Sequence, residues 1–163
     1  MSDEIVATIR ASEPRRYMGV GMLGMVGALV IYVALSTPPS AGWLVFLLVV
    51  GLFAIWLAAR MWQATQYHIE LTEDELRSSD GNVIARVDDI KSIDRGFFAF
   101  KPSNGFLIKT KTPASRIWQP GLWWRFGRQI GIGGVTPGSQ SRAMSEILAA
   151  MVAMRNQGGD GRL

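Results

Sequence analysis

The sequence predicts a membrane α-hairpin followed by an α+β domain, and two observations indicate this fold class. Charged residues make up 18% of the 163-residue chain, yet no Asp, Glu, Lys or Arg occurs between Arg16 and Arg60. Beyond that gap, short alternating segments separated by turn residues precede a single amphipathic helical segment. We therefore expect two transmembrane helices, and then a small antiparallel β-barrel or sheet that is capped by a C-terminal amphipathic helix.

The charge-free region contains two apolar runs, residues 18–36 and 43–61, within a transmembrane segment 18–62. Each run has roughly 19 residues and would be about 28 Å long as a helix, close to the hydrocarbon thickness of a bilayer. The turn between them carries Pro38 and Pro39, which cannot continue a helix. A buried helical hairpin in a soluble protein and a cleaved signal peptide are the alternatives to a membrane-spanning hairpin.

The flanking charges predict the orientation of this hairpin. Arg10, Arg15 and Arg16 precede the first run, Arg60 lies at the end of the second, and the turn between the runs carries no charge. Because positive residues remain on the cytoplasmic side, both ends of the chain are expected there. The N-terminal segment 1–17 is then cytoplasmic, and the predicted location is the inner membrane of a bacterium.

Small residues follow one stripe of the first predicted helix, at Gly21, Gly24 and Ala28, with Gly27 beside it. Small side chains let helix backbones approach closely in lipid. The favoured interpretation is packing against the second helix of the same chain. The alternative is an interface with a larger membrane protein or with a second copy.

Residues 66–156 are expected to form the cytoplasmic domain. Asp80-Gly81-Asn82 and Pro102-Ser103-Asn104-Gly105 are typical of turns. Residues 88–93 are interpreted as a turn or a short strand. Alternation and β-favouring residues predict strands at 67–72, 75–79, 83–87, 97–100, 106–111 and 129–132.

The last predicted element is a helix that begins near Ser139 or Ser141, either of which can cap it, and continues to about Arg155. A glycine-rich tail, residues 157–163, is expected to be disordered. Helical spacing predicts one apolar face, made by Met144, Ile147, Leu148, Met151 and Val152.

The segment YHIELTEDELRSSDGNVIARVDDIKSI resembles the start of bacterial pleckstrin-homology-like (PH-like) domains that are attached to short membrane anchors. The resemblance implies a PH-like fold and a binding or scaffolding role, with no catalytic residues. The tryptophan-rich segment after Lys111 departs from the family pattern. The matching positions are Ile69, Leu71, Thr72, Leu76, Val87, Asp89, Ile90, Ser92 and Ile93.

A basic and aromatic segment is the candidate functional surface. No acidic residue occurs from Arg95 to Arg142, whereas eight basic residues do. Residues 117–128 are predicted to be a loop that lies on the inner leaflet or against a membrane partner, because Arg and Trp suit the headgroup boundary. The alternative is that its tryptophans complete the core of the domain. The candidate residues are Arg116, Trp118, Trp123, Trp124, Arg125, Phe126 and Arg128.

Composition argues against several kinds of active site. The chain has no cysteine and one histidine, His68, which excludes thiolate metal sites, cysteine nucleophiles and sites built from several histidines of one chain. No cofactor is predicted. A net charge of +4 on a chain held at a membrane does not favour nucleic acid as a partner.

The sequence therefore predicts a non-enzymatic integral membrane accessory or scaffold protein. Its expected partners are membrane lipids and a larger membrane protein assembly, or a second copy of itself. The alternatives are a module that binds anionic lipid headgroups and a membrane enzyme whose site carries no recognisable motif.

Overall fold

A computed structural model describes residues 4–37, 39–96 and 102–159 of the chain. The coarse fold class is confirmed, since two long apolar helices are followed by antiparallel sheets and a C-terminal helix. A 3-10 turn, Val87–Asp89, precedes β5. In chain order the elements are β1 Ala7–Arg10, α1 Glu13–Ser36, α2 Ala41–Ala64, β2 His68–Leu71, β3 Glu75–Ser78, β4 Val83–Arg86, β5 Ile90–Asp94, β6 Phe106–Gln119, β7 Trp123–Ile132 and α3 Gly138–Gly159.

Helices α1 and α2 form an antiparallel helical hairpin, and each has 24 residues. Helix α1 begins at Glu13, earlier than the predicted span, because Pro14 fits the first turn of a helix, where its missing N–H is not needed. Both helices are long and apolar enough to cross a membrane, with mean hydropathy of 2.2 and 2.5 in their most apolar windows. Their backbones approach at Gly27 and Gly51, where a Cβ on Gly27 would lie 2.8 Å from the Gly51 carbonyl oxygen.

The N-terminal segment contains a strand that the sequence did not predict. Strand β1 pairs antiparallel with β2, so that Ile9 lies opposite Ile69 and Arg10 opposite His68. Ile9 is fully buried. The helical hairpin is therefore an insertion between two paired strands of the first sheet, whose order is β1-β2-β3-β4. Strand β1 is too short for its alternation of residues to be recognised as a periodic pattern in the sequence.

The second sheet has the order β5-β6-β7. Its longest elements, β6 and β7, form a long β-hairpin of 14 and 10 residues. Register shifts at Lys109–Ala114 and Ala114–Ile117 interrupt the pairing and bend it. Among the described residues neither sheet closes into a barrel. The predicted strand at 97–100 lies outside the described residues.

One hydrophobic core lies between the two sheets and helix α3. Met144, Leu148 and Val152 on α3 are buried in it, and Ile147 and Met151 pack at its edge, as the helical spacing predicted. The helix begins at Gly138, so neither serine caps it, and it continues to Gly159 where a disordered tail was expected from residue 157. Residues 160–163 of that tail lie outside the described residues.

The far end of α3 is tied to the turn between β2 and β3. Arg155 Nη2 donates to the Glu73 carbonyl oxygen at 2.6 Å and to Asp74 Oδ1 at 2.9 Å. The predicted turn at 102–105 is confirmed, and Asn104 adopts a φ of 55° there. The candidate surface lies elsewhere, on the long β-hairpin and near the base of the helical hairpin.

Candidate interaction surface

The predicted loop 117–128 is wrong, because these residues belong to the long β-hairpin. Residues 117–119 end β6, residues 123–128 begin β7, and Gly121 turns the chain between them with a φ of 85°. The Pro120-Gly121 dipeptide is a strong turn signal. Tryptophan favours β-strands, so this turn and the tryptophans on either side of it together indicate a β-hairpin.

Trp123 belongs to the core and not to a binding surface. Its side chain is 1% exposed, beside the fully buried Leu122. The Trp123 Nε1 donor is buried without a hydrogen-bond partner in the described part of the chain. For this one residue the alternative expectation holds, that the tryptophans of this segment complete the domain core.

Arg125 connects the two sheets. Its guanidinium donates to the Ile84 carbonyl oxygen at 3.0 Å, to the Val83 carbonyl oxygen at 3.4 Å and, through Nε, to the Ser115 carbonyl oxygen at 3.0 Å. Strand β4 is an edge strand, and Arg125 satisfies carbonyls that another strand would otherwise pair. Since its donors are engaged by the protein, Arg125 is less available to a partner than the sequence suggested.

The other candidate residues form one group, in which Trp124 is half-buried and the rest are exposed. Trp118 pairs with Trp124 across the two strands, and the rings of Trp124 and Phe126 are 5.3 Å apart. Trp118 is 44% and Phe126 48% exposed. We call this group the aromatic–basic ribbon, and its members are Arg116, Trp118, Trp124, Phe126 and Arg128.

The two arginines of the ribbon are exposed, and no hydrogen bond or ion pair engages either guanidinium within the described residues. The Trp124 ring is held in place by its packing against Gly131, which it covers so closely that any Cβ there would overlap it. The ribbon therefore presents two free cations beside aromatic rings that are held in place. This combination suits an anionic or mixed polar and apolar partner.

The tip of the long β-hairpin contacts the end of α2. A Cβ on Gly121 would lie 3.2 Å from Met61 Cε and 3.2 Å from Thr65 Cγ2. Strand residues advance about 3.3 Å each, so the backbone of Trp118 lies within about 10 Å of this contact. The Trp118 end of the aromatic–basic ribbon is thus close to the base of the helical hairpin.

A second segment, residues 133–137, holds the start of α1. Ser12 N donates to the Val135 carbonyl oxygen at 2.8 Å, and Arg15 Nη1 donates to the Thr136 carbonyl oxygen at 2.9 Å. Val135 N in turn donates to the Gly121 carbonyl oxygen at 3.0 Å. Both helices are therefore attached to the domain through the same two loops, and we call this region the junction.

An arginine and two aromatic residues join the helices at the junction. The Arg16 guanidinium carbon lies 4.0 Å from the centre of the Trp62 ring, and the Tyr17 ring lies 5.5 Å from Trp62. Arg16 Nε is buried and has no hydrogen-bond partner among the described residues. An Arg cation over an indole face is attracted by the ring quadrupole, which stabilises this end of the helical hairpin.

The small residues predicted for helix packing divide between two environments. Gly27 is buried against Gly51 and Ile55 of α2. Gly21 and Gly24 have open space where a Cβ would stand, and Ala28 is exposed. Within this chain the close helix contact therefore uses Gly27, and the stripe of Gly21, Gly24 and Ala28 faces away from α2.

His68 belongs to a polar cluster on the first sheet. Glu70 accepts hydrogen bonds from His68 Nε2 at 2.9 Å and from Arg77 Nε at 3.0 Å, and its side chain is 13% exposed. Burial acts to raise the pKa of Glu70, but the hydrogen bonds from Arg77 and His68 outweigh it and hold that pKa below its ordinary value.

The acidic pair Asp88-Asp89 is also engaged by the protein. Asp89 accepts from Thr112 N at 3.0 Å and from Thr112 Oγ1 at 2.7 Å, and Lys111 Nζ donates to the Asp88 carbonyl oxygen at 2.8 Å. These bonds tie the 3-10 turn to β6. The described residues contain no group of three or more acidic, histidine or cysteine side chains that could hold a metal ion.

No family model, curated protein or solved structure matches the chain. What the protein does must therefore be argued from its own residues, of which the aromatic–basic ribbon and the junction are the most informative.

Proposed function

We propose that this chain is a non-enzymatic integral membrane accessory protein of a bacterial inner membrane, whose cytoplasmic PH-like domain binds a protein partner at the membrane surface. One observation carries the proposal. The domain is fastened to the base of the helical hairpin through the junction, and it holds the Trp118 end of the aromatic–basic ribbon beside that base.

The surface of the helical hairpin supports a membrane span. A core helix of a soluble protein is mostly buried, whereas only 11% of the most apolar window of each helix is buried here. Leu29, Phe46 and Phe53 are each more than half exposed. At about 1.5 Å per residue each helix is about 36 Å long, enough to cross a hydrocarbon core of about 30 Å.

The pairing of β1 with β2 supports the proposed topology. These strands flank the helical hairpin in sequence and lie side by side in one sheet. For a hairpin that enters a membrane, this pairing favours a return of the chain to the side from which it entered. The flanking residues Arg10, Arg15, Arg16 and Arg60 favour the cytoplasm as that side. Cleavage after α1 would separate β1 from the rest of the domain, which supports an uncleaved first span.

The arrangement of the domain supports the PH-like assignment. Two antiparallel sheets enclose one core, and an amphipathic C-terminal helix packs against it. Arg125 bridges the open gap between β4 and β7, where a closed barrel would have strand pairing. A domain of this kind offers surfaces for binding, which agrees with a scaffolding role.

The partner is proposed to be a membrane protein that contacts the aromatic–basic ribbon and, within the bilayer, the outward stripe of Gly21, Gly24 and Ala28. Exposed aromatic residues and arginines are enriched where proteins bind each other. A second copy of this chain would use the same surfaces.

Photo-crosslinking in intact membranes tests this function, with the reactive residue introduced in place of Trp118 or Phe126. We expect a defined crosslinked species from both positions, and none from a matched reporter at Met154, which is 69% exposed on α3. The same species should be recovered in mild detergent. Isolation as a monomer in several mild detergents, with no crosslink at either ribbon position, would contradict the proposal.

A lipid-binding role is the second candidate, favoured by the free Arg116 and Arg128 beside exposed aromatic rings. Because β1 is part of the domain, the test requires the full chain in vesicles. The natural absence of cysteine allows a single spin label at Phe126→Cys. Lipid binding predicts bilayer contact in anionic vesicles, which Arg116→Gln with Arg128→Gln should reduce. A label that remains in water in every vesicle would exclude this role.

A further inference from the structure

A polar cavity that is open to solvent lies beside the junction, between the last turn of α2 and the domain. It has a volume of about 230 Å³. Its walls come from α2, from the linker to β2, from the β3–β4 turn and from the end of β6. The residues that matter for its chemistry are Arg60, Gln63, Gln66, Tyr67, Asp80 and Gln119.

Most polar groups of this junction cavity have no partner in the protein. Within the described residues no hydrogen bond or ion pair engages the Arg60 guanidinium, and none engages the side-chain amides of Gln63, Gln66 and Gln119. Together they offer charged donors, amide donors and amide acceptors to one small volume. Such a lining suits a polar ligand and disfavours an acyl chain.

The charges in the cavity are of opposite sign. Arg60 supplies a cation and Asp80 a carboxylate, and no ion pair joins the two in the described part of the chain. Asp80 is held in place, because Asn82 N donates to Oδ1 at 3.2 Å and Asn82 Nδ2 donates to Oδ2 at 2.8 Å. Each carboxylate oxygen retains capacity for a further hydrogen bond. Charge complementarity therefore favours a zwitterionic ligand.

The position of the cavity selects a lipid headgroup as that ligand. Helix α2 is about 36 Å long and the hydrocarbon core is about 30 Å thick, so one end turn extends into a headgroup layer of about 5–7 Å. Arg60 and Gln63 lie in the last two turns of α2. Tyr17 and Trp62 pack together at the same end, as aromatic residues do at the membrane boundary.

We propose that the junction cavity binds the phosphoethanolamine headgroup of a phospholipid. Its phosphate oxygens accept from Arg60, and its ammonium donates to Asp80. The glutamine amides and the Tyr67 hydroxyl bond the remaining polar atoms. A volume of about 230 Å³ is large enough to hold a group of this size. The inference rests on the proposed membrane span.

The test uses the full chain, purified in mild detergent and stripped of lipid. Binding of phosphatidylethanolamine, phosphatidylcholine and phosphatidylglycerol is measured by native mass spectrometry. Phosphatidylcholine keeps both charges but has no N–H donor, and phosphatidylglycerol has no cation. We expect the ethanolamine lipid to bind about tenfold more tightly than either, the effect of one charge-assisted hydrogen bond.

Asp80→Asn should abolish this preference, and Arg60→Gln should weaken the binding of all three lipids, because each of them carries a phosphate. Lys91→Gln, at an exposed cation on β5, should change neither. Asparagine keeps the turn at residue 80, so Asp80→Asn is expected to fold. Equal binding of the three lipids to the unmodified chain, or an unchanged preference in Asp80→Asn, would overturn the headgroup assignment. A chain that is monodisperse without detergent and binds no phospholipid would overturn the membrane span itself.

Discussion

The helical hairpin and the domain bury opposite kinds of residue. Where α1 and α2 touch, most buried residues are small, as at Gly27, Ala34, Gly51 and Ala58, and large apolar side chains such as Phe53 point outward. In the domain the buried side chains are large. Large side chains fill its core, among them Ile9, Phe106 and Ile130, each 0% exposed.

The difference is the one expected for a domain in water and a helical hairpin in lipid, as proposed above. In water, burial of apolar surface stabilises a fold by about 25 cal/mol per Å², so large apolar side chains belong inside. In lipid that gain vanishes, and close backbone approach through small residues stabilises helix packing instead. The domain should therefore be destabilised when a large apolar residue is replaced by a polar one. The helical hairpin should be destabilised when a small residue is replaced by a large one.

The largest expected effect comes from Ile9→Asp, which would place an unpaired charge in the core of the domain. A buried charge without a partner costs several kcal/mol, and we expect a loss of about 4 kcal/mol in the free energy of unfolding. Denaturant unfolding of the full chain in detergent, followed by tryptophan fluorescence, measures it.

Ile5→Asp is the matched control, because Ile5 lies just before β1 and is 46% exposed. We expect a change of less than about 0.5 kcal/mol from it. If Ile9→Asp were equally mild, strand β1 would not belong to the domain core, and the argument from strand pairing to membrane topology would be lost.

Gly27→Leu should be the next largest effect and should act on the helical hairpin. The new side chain would meet the Gly51 carbonyl oxygen and Ile55, forcing the helices apart. Overpacking of this kind costs about 1–3 kcal/mol. Thermal unfolding in detergent should show a lower midpoint.

Gly21→Leu tests the same helix where nothing lies within 4 Å of an added Cβ. In detergent we expect its unfolding midpoint to match that of the unmodified chain. Equal destabilisation by both variants would mean that α1 and α2 do not pack through Gly27.

The smallest expected effect is the pH dependence of the Glu70 cluster. Because the pKa of Glu70 is lower in the folded chain than in the unfolded chain, its contribution to stability is complete above the ordinary glutamate pKa. That contribution is lost as the pH falls through the lower, folded value. Glu70→Gln should cost about 1 kcal/mol at neutral pH and reduce the loss of stability on acidification.

Glu146→Gln is the control for this prediction, since Glu146 is 60% exposed and lies 3.8 Å from Arg95. An exposed ion pair contributes little, so its pH profile should follow that of the unmodified chain. Identical acid profiles for all three chains would show that Glu70 is not the group that responds.

Local patterns account for the parts of the fold that the sequence predicted. The two apolar helices were visible as long charge-free runs, and the apolar face of α3 because Met144, Leu148 and Val152 recur at helical spacing. Strand β2 was visible through its alternation. The candidate surface was only partly predictable, since composition alone does not distinguish the exposed Trp118 from the buried Trp123.

By itself, the sequence determined the two apolar helices, their charged flanks, most strand positions and the amphipathic helix, because each depends on residues close together in the chain. Only the tertiary structure decided that β1 pairs with β2 across the inserted hairpin, and that Arg125 bridges two sheets. It also decided which tryptophans remain exposed and that the two helix ends share one junction. These features depend on contacts between residues far apart in the chain, and no local periodicity or composition encodes such contacts.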